Sequence, residues 1–290
     1  MALLFYKKIF MKPRIFHAVI LTILSITIAS CNSGSESYEI RMQMKPGERF
    51  QQFTKMETKV DLGTLPGMEM KTATGAEFVV LEGDGSVERL KMTYLDLNTD
   101  FKFGVSGVDK RSDSMMKVNN KKLIGKSVVI NVDDSRVVQV SGFEEVRDDI
   151  NDTLPKIMFT PEAVNSLFGY MFAIYPGKPV KKGDSWRHQS TMSVMNMKMN
   201  MITTYTLVKV EADVAEIKAS GTLAASADNA PGPAPVSVEG VHSAKYRIAL
   251  NDGHIQGGDF SMELEGKMSG AMGTGTMKMR GKQVISDKPF

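Results

Sequence analysis

From Tyr38 onward the chain is governed by a period of two. Tyr38–Met44 alternates apolar with polar positions, and Leu90, Met92 and Tyr94 repeat the pattern. Met195, Met197, Met199, Met201, Thr203, Tyr205 and Leu207 fall on one parity, with Asn196, Lys198 and Asn200 between the methionines. Alternation of this kind puts one set of side chains on one face of a strand. Turn chemistry separates the runs at Leu65-Pro66-Gly67, Gly83-Asp84-Gly85, Asp133-Asp134-Ser135 and Asn251-Asp252-Gly253. The pattern predicts a mostly β protein built from antiparallel meanders. One stretch reads at helical period instead. Val164, Leu167, Phe168, Met171 and Phe172 form an apolar stripe behind Thr160 as N-cap and Pro161 at the first helical position, and Pro176-Gly177 stops it. Phe143–Asp152 reads as a shorter helix carrying Val146 and Ile150 inward.

The meanders look duplicated. Gly47-Glu48-Arg49-Phe50 matches Gly183-Asp184-Ser185-Trp186, and Phe78-Val79-Val80-Leu81 through Leu90-Lys91 matches Tyr205-Thr206-Leu207-Val208 through Ile217-Lys218. A third block, Val132–Val137, matches Leu250–Ile255 in the same order. Three ordered matches predict two similar meanders joined by the helix, as curved sheets in a half-barrel or sandwich. Phe50 should then lie over Trp186, and the Asp133-Asp134 turn over Asn251-Asp252.

The first thirty residues belong to a different object. Lys7, Lys8, Lys12 and Arg14 precede an apolar run, Ile15–Ala29, that is short for a span of about 20 apolar residues. This reads as a secretory signal, and Met11 opens a compact version of it, so Met1 and Met11 both stand as start sites. The run ends Ile28-Ala29-Ser30-Cys31, and Cys31 is the sole cysteine of the 290 residues. Two small residues before a cysteine resemble the bacterial lipobox, which implies cleavage before Cys31 and acylation of its thiol. Several acyl chains on one residue hold a protein stably on a membrane. Asn32-Ser33-Gly34-Ser35-Glu36-Ser37 then reads as a flexible tether. By resemblance Asn32, in place of an aspartate after the cysteine, favours the outer membrane, with the periplasmic or surface face left open. The four basic residues lost with the signal reduce 36 Lys+Arg to 32 against 33 Asp+Glu. A nearly neutral mature chain offers nucleic acid no electrostatic attraction.

The lipobox, the segment Met44–Phe50 and above all Tyr175-Pro176-Gly177-Lys178-Pro179-Val180-Lys181-Lys182-Gly183-Asp184-Ser185-Trp186 resemble an uncharacterised family of Bacteroidota lipoproteins, classed as a domain of unknown function. The resemblance covers most of residues 38–285 and implies an envelope location and an all-β fold. It carries no catalytic residues with it.

Methionine is the main candidate for chemistry. Met42/Met44, Met68/Met70, Met195/Met197/Met199/Met201 and Met277/Met279 share Met-X-Met spacing, which places thioethers about 7 Å apart on one strand face. Such a face serves as adaptable core or as the lining of an apolar pocket. Thioethers also bind Cu(I), but no histidine adjoins any pair and the mature chain has no free thiol. His188, His242 and His254 stand apart without metal-binding spacing and read as surface or strand residues. No Gly-X-Ser-X-Gly elbow occurs. Gly183, Asp184 and Ser185 suit a tight turn, and Trp186 opens the following strand.

These features divide the chain into a signal peptide (1–30), a tether (31–37), a first β repeat (38–142), a helical connection (143–179) and a second β repeat (180–290). They point to a non-enzymatic, lipid-anchored envelope lipoprotein that needs no cofactor and binds a hydrophobic ligand or a partner protein. Met195, Met197, Met199, Met201 and Trp186 are the candidate ligand contacts. A methionine-based copper-handling protein and an envelope enzyme with an unrecognised site are the alternatives.

Overall fold

The alternating runs become long strands because their apolar parity has one continuous interior to face. The computed structural model describes residues 36–63, 65–84, 86–104, 118–133, 136–148, 161–194, 197–226, 234–270 and 273–290. The strands are β1 (Ser37–Tyr38), β2 (Arg49–Leu62), β3 (Leu65–Glu82), β4 (Arg89–Phe103), β5 (Ser127–Asp133), β6 (Arg136–Ser141), β7 (Val180–Lys181), β8 (Ser185–Val194), β9 (Met197–Glu211), β10 (Val214–Ser226), β11 (Ala234–Ala249), β12 (Ile255–Gly270) and β13 (Gly273–Ser286). Eleven of them form one antiparallel sheet in the order β6-β5-β4-β3-β2-β13-β12-β11-β10-β9-β8, and β1 pairs with β7 separately.

The sheet is two five-stranded meanders, β2–β6 and β8–β12, with β13 hydrogen-bonded between β12 and β2. It is not closed. The helix Pro161–Phe172 touches both edge strands, β6 and β8, and so lies across the gap between them. Asn165 of that helix accepts the edge amide of Val140 through Oδ1 at 2.8 Å. An otherwise unpaired strand edge is thereby covered.

The duplication is written in the hydrogen bonds. The amide of Lys45 donates to the Glu48 carboxylate, and the amide of Lys181 donates to that of Asp184, at 2.8 and 2.9 Å. Gly47 donates to the Val80 carbonyl and Gly183 to the Leu207 carbonyl, at 2.9 and 2.8 Å. Both glycines take positive φ, +87° and +92°. Phe50 faces Phe78 in register, and Trp186 faces Tyr205. Val80 opposes Leu90 and Leu207 opposes Ile217, and in each meander the next residue, Leu81 or Val208, is skipped by a bulge. Val132 opposes Val137 and Ile248 opposes Ile255, again beside matching bulges. The second-meander counterpart of Val132 is therefore Ile248, two residues short of the Leu250 that the sequence blocks suggest. The turn after β11 is longer by that amount, so no ungapped match spans it.

Other local differences have simple causes. Leu65-Pro66-Gly67 lies inside β3, and Leu62 pairs with Leu65. The turn comes at Gly63, whose amide donates to Asp61 Oδ1 at 2.9 Å and whose φ is +69°. Tyr38–Met44 keeps its alternation, with Ile40, Met42 and Met44 buried, but only Ser37–Tyr38 forms a strand. The rest bonds to loops of both meanders: Gln43 donates to Asp252 and Met42 accepts from Val87. The long helix ends at Phe172, before Pro176, with Phe168 and Phe172 buried as the stripe requires. The shorter helix is Phe143–Asp148, with Phe143 buried. Residues 118–123 form a further helix that the polar run Asn119-Asn120-Lys121-Lys122 did not reveal, having no apolar stripe. Strands β10 and β11 extend into the Ala- and Pro-rich stretch 224–235.

Two apolar clusters fill the interior. The larger lies at the end where β2 begins, called proximal here, and joins Ile40, Met42, Phe78, Leu90, Ile130, Phe172, Leu207, Ile217 and Ile248. It is packed tightly: the hollow between Met42, Phe50, Phe78, Leu90, Phe172 and Tyr175 measures about 20 Å³, room for one water. The smaller, at the distal end, joins Val60, Met201, Leu223, Ala225, Val238, Leu264 and Met277.

Candidate functional site

Register lines the inward residues up in rows that cross the sheet. One distal row reads Met201 (β9), Leu223 (β10), Gly240 (β11), Leu264 (β12), Met279 (β13), Val60 (β2) and Met68 (β3). The row beyond it reads Met199, Ala225, Val238, Gly266 and Met277. Neither contains a polar side chain. Met201, Leu223, Leu264, Val60 and Met277 are buried, whereas Met68, Met199 and Met279 are only half-buried, as is Met70 one row back.

Glycine lets the sheet curl enough to make this face concave. A Cβ at Gly240 would run into the Glu263 carbonyl oxygen, and one at Gly266 into that of Ser237. Such close backbone approach between neighbouring strands brings Met201 of β9 and Val60 of β2 into one cluster although four strands separate them. Larger side chains then lie flat over glycine: a Cβ on Gly281 would stand 2.6 Å from the Met262 methyl.

The row on the proximal side of the apolar pair carries the polar groups. It runs Thr203, Gly221, His242, Met262, Gly281, Thr58 and Met70. His242 is buried, bonds Thr203 Oγ1 through Nε2 at 3.0 Å and stacks on Phe260 with centroids 5.8 Å apart. Burial pushes its pKa down, so the ring is neutral. Its Nδ1 is buried without a hydrogen-bond partner among the described residues. From the helix, Tyr170 meets Phe260 edge-on at 6.2 Å and brings its hydroxyl within 3.5 Å of that of Tyr246. Burial raises the pKa of Tyr170, Tyr205 and Tyr246, which therefore stay protonated. Ahead of this neutral polar belt the two rows are apolar from β9 to β3, and on β8 Ser190, opposite Met201, buries its hydroxyl without a partner among the described residues.

The residues singled out from sequence divide across this arrangement. Met199 and Met201 point inward into the distal cluster. Met197 is described through its backbone, paired with Val194, and Met195 and Cys31 lie outside the described residues. Trp186 is placed elsewhere: it stacks on Tyr205 at 5.8 Å and packs on the proximal cluster. Met68, Met70, Met277 and Met279 join the inner face, as their spacing allowed, while Met262 and Met56 carry no sequence signal beyond strand parity. His254 sits in a turn, with Nδ1 2.6 Å from Asp252 Oδ1 and its ring 5.9 Å from that of Phe50. Among the described residues no three His, Cys, Asp or Glu side chains converge as metal ligands.

Residues 85–274, spanning most of both meanders, match the family of unknown function DUF6263. The chain belongs to this family. No curated protein matches it. Among solved structures, one on lipid–protein interactions in lipovitellin is 11% identical at a TM-score of 0.46, covering 85% of this chain and 26% of that one. The chain thus spans about a quarter of that protein's length. OmpF of Salmonella typhi, in complex with daunomycin, is 6% identical at a TM-score of 0.25, covering 84% of this chain and 100% of its own. An outer membrane channel from Pseudomonas putida F1 is 5% identical at a TM-score of 0.19, covering 84% and 97%.

Proposed function

We propose that this DUF6263 protein is a non-enzymatic, lipid-anchored lipoprotein of the cell envelope, held at the outer membrane through Cys31, whose distal inner face holds a hydrophobic ligand. The observation that carries the reading is a pair of apolar rows, the first seven strands wide, in which the Met68, Met199 and Met279 side chains are covered by the chain itself only in part. Apolar surface left in water costs about 25 cal/mol per Å². A hydrocarbon guest removes that cost, and unbranched thioethers adapt to guests of different outline. The tether joins at Ser37, whose strand β1 pairs with β7, next to the tightly filled proximal cluster.

The ligand is tested with delipidated protein and a fluorescent long-chain fatty acid. One-to-one saturable binding, lost in Met70→Glu and Met279→Glu variants that keep the native circular dichroism, is expected. Absence of saturable binding, together with no lipid in native mass spectra of protein released from membranes, overturns the ligand reading and leaves the partner-protein alternative. The anchor is tested separately: Cys31→Ala should abolish labelling by a palmitate analogue, and a variant that still labels removes the lipobox from the account.

A further inference from the structure

Two polar atoms on the inner face between β8 and β11 are buried with no partner among the described residues, Ser190 Oγ and His242 Nδ1. Register brings both to one step of β9. Ser190 lies opposite Met201, and His242 bonds Thr203, the next residue of β9 on that face. The imidazole reaches β9 because Gly221 on the strand between has no side chain: a Cβ there would stand 2.5 Å from His242 Cε1. The two atoms therefore flank the Met201–Thr203 step, about 7 Å long, where the apolar rows meet the polar belt. We infer that this corner seats the head group of the ligand, and that the ligand is a lipid with an uncharged, oxygen-bearing head, of the acylglycerol kind. The inference rests on the hydrophobic-ligand reading of the methionine rows.

Charge and hydrogen bonding select the head. No Lys, Arg, Asp or Glu stands on the inner parity of the sheet in the four rows through Met199, Met201, Thr203 and Tyr205. A phosphate or quaternary ammonium placed there would lose its water and gain no counter-charge from the sheet, a cost that one or two hydrogen bonds do not offset. An uncharged oxygen needs only hydrogen bonds. A buried polar group left unpaired costs about as much as the bond it lacks, so a guest oxygen relieves both Ser190 and His242. The Ser190 hydroxyl can donate or accept. His242 Nδ1 offers an N–H or a lone pair according to how the Thr203 hydroxyl, which also bonds Tyr205, is turned. The ester and hydroxyl groups that adjoin in an acylglycerol satisfy either arrangement, and a fatty acid meets the same condition with its carboxyl protonated. The duplication supplies an internal control. The first-meander counterpart of Thr203 is the buried Ala76, and among the described residues no side-chain atom of β2–β6 is left buried and unpaired. The architecture stands without this polar corner.

The test is isothermal titration of delipidated protein at pH 8, where imidazoles are neutral. Three ligands of one chain length are compared below their micelle concentrations: 1-monodecanoylglycerol, decyl phosphate and decyltrimethylammonium. Saturable binding of monodecanoylglycerol is expected, at least about tenfold tighter than either charged ligand. Ser190→Ala, which removes an unpaired hydroxyl, should leave the melting temperature of the unliganded protein unchanged or raised, yet weaken monodecanoylglycerol by about threefold or more. Ser190→Thr, which keeps a hydroxyl, should bind like the parent. His242→Phe should weaken binding as Ser190→Ala does, and where it fails to fold Ser190→Ala decides alone. Equal affinities for the three ligands, or an unchanged monodecanoylglycerol affinity in Ser190→Ala, overturns the head-group assignment and leaves the hydrophobic-ligand reading standing. Binding of none of the three removes both.

Discussion

The indole of Trp186 lies over the ring of Tyr205, centroids 5.8 Å apart and 15° from parallel, in the same register position where Phe50 lies over Phe78 at 4.8 Å and 4°. The two pairs are one structural device used twice, each opening a meander at the proximal end. The indole Nε1 is buried without a partner among the described residues, so the second pair gains area and not a hydrogen bond. Trp186→Phe, which recreates the first-meander pair, should cost less than about 1.5 kcal/mol. Trp186→Ala should cost about 3 kcal/mol or more. Urea unfolding of both variants checks this, and equal losses would show that the stack does not seat the strand.

Glycine in a strand is ordinarily improved by alanine, by about 0.4–1 kcal/mol through the unfolded chain. Gly240 should behave oppositely, because its Cβ would meet the Glu263 carbonyl oxygen in the neighbouring strand. Gly240→Ala is expected to lose more than about 1 kcal/mol. Gly275, whose added Cβ would find only the Leu62 carbonyl at 3.9 Å, is the comparison and should lose nothing. Melting temperatures of the two variants decide the point.

The methionines of the inner face should fall into two energetic classes. Met201 is 3% exposed within the distal cluster, and Met201→Ala should destabilise by about 2–5 kcal/mol. Met70 is half-buried in the row next to the apolar pair. Met70→Ala should cost under about 1 kcal/mol and lower fatty-acid affinity instead. A large stability loss at Met70 would mean the face is ordinary core.

His242 gives the native state a pH dependence. Burial lowers its folded-state pKa below the unfolded value near 6.5. Below that value the unfolded chain takes up a proton that the folded chain refuses, so stability falls with falling pH, by at most about 1.4 kcal/mol per unit from this group. Above it the contribution is flat. His242→Gln should flatten the stability profile between about pH 6.5 and 5, measured by chemical denaturation across that range. An unchanged slope would assign the pH dependence to other groups.

Much of this architecture was legible along the chain because the governing signals are local. Gly47 and Gly183 mark equivalent turns by residue type alone, and the parity of Met199, Met201, Tyr205 and Leu207 names the inward face. What could not be read depends on pairing between distant strands. Nothing near Leu264 or Met279 says that they share a row with Met201, and nothing near Phe260 says that it receives His242 and Tyr170 together. Trp186 and the methionines looked like one set because both are large and apolar; register sends them to opposite ends of the strands.

The place of β13 sets an order of assembly. Two meanders of local hairpins can each form as soon as their own residues are present, but β2 and β12 have only β13 to join them, and β13 follows both in the chain. Until residues 273–286 arrive, β2 and β12 each present an unpaired edge, the condition under which strands recruit the wrong neighbour. The chain's slowest and most aggregation-exposed step should be the insertion of its final strand, and a chaperone that shields β2 until then would raise its yield without touching its stability.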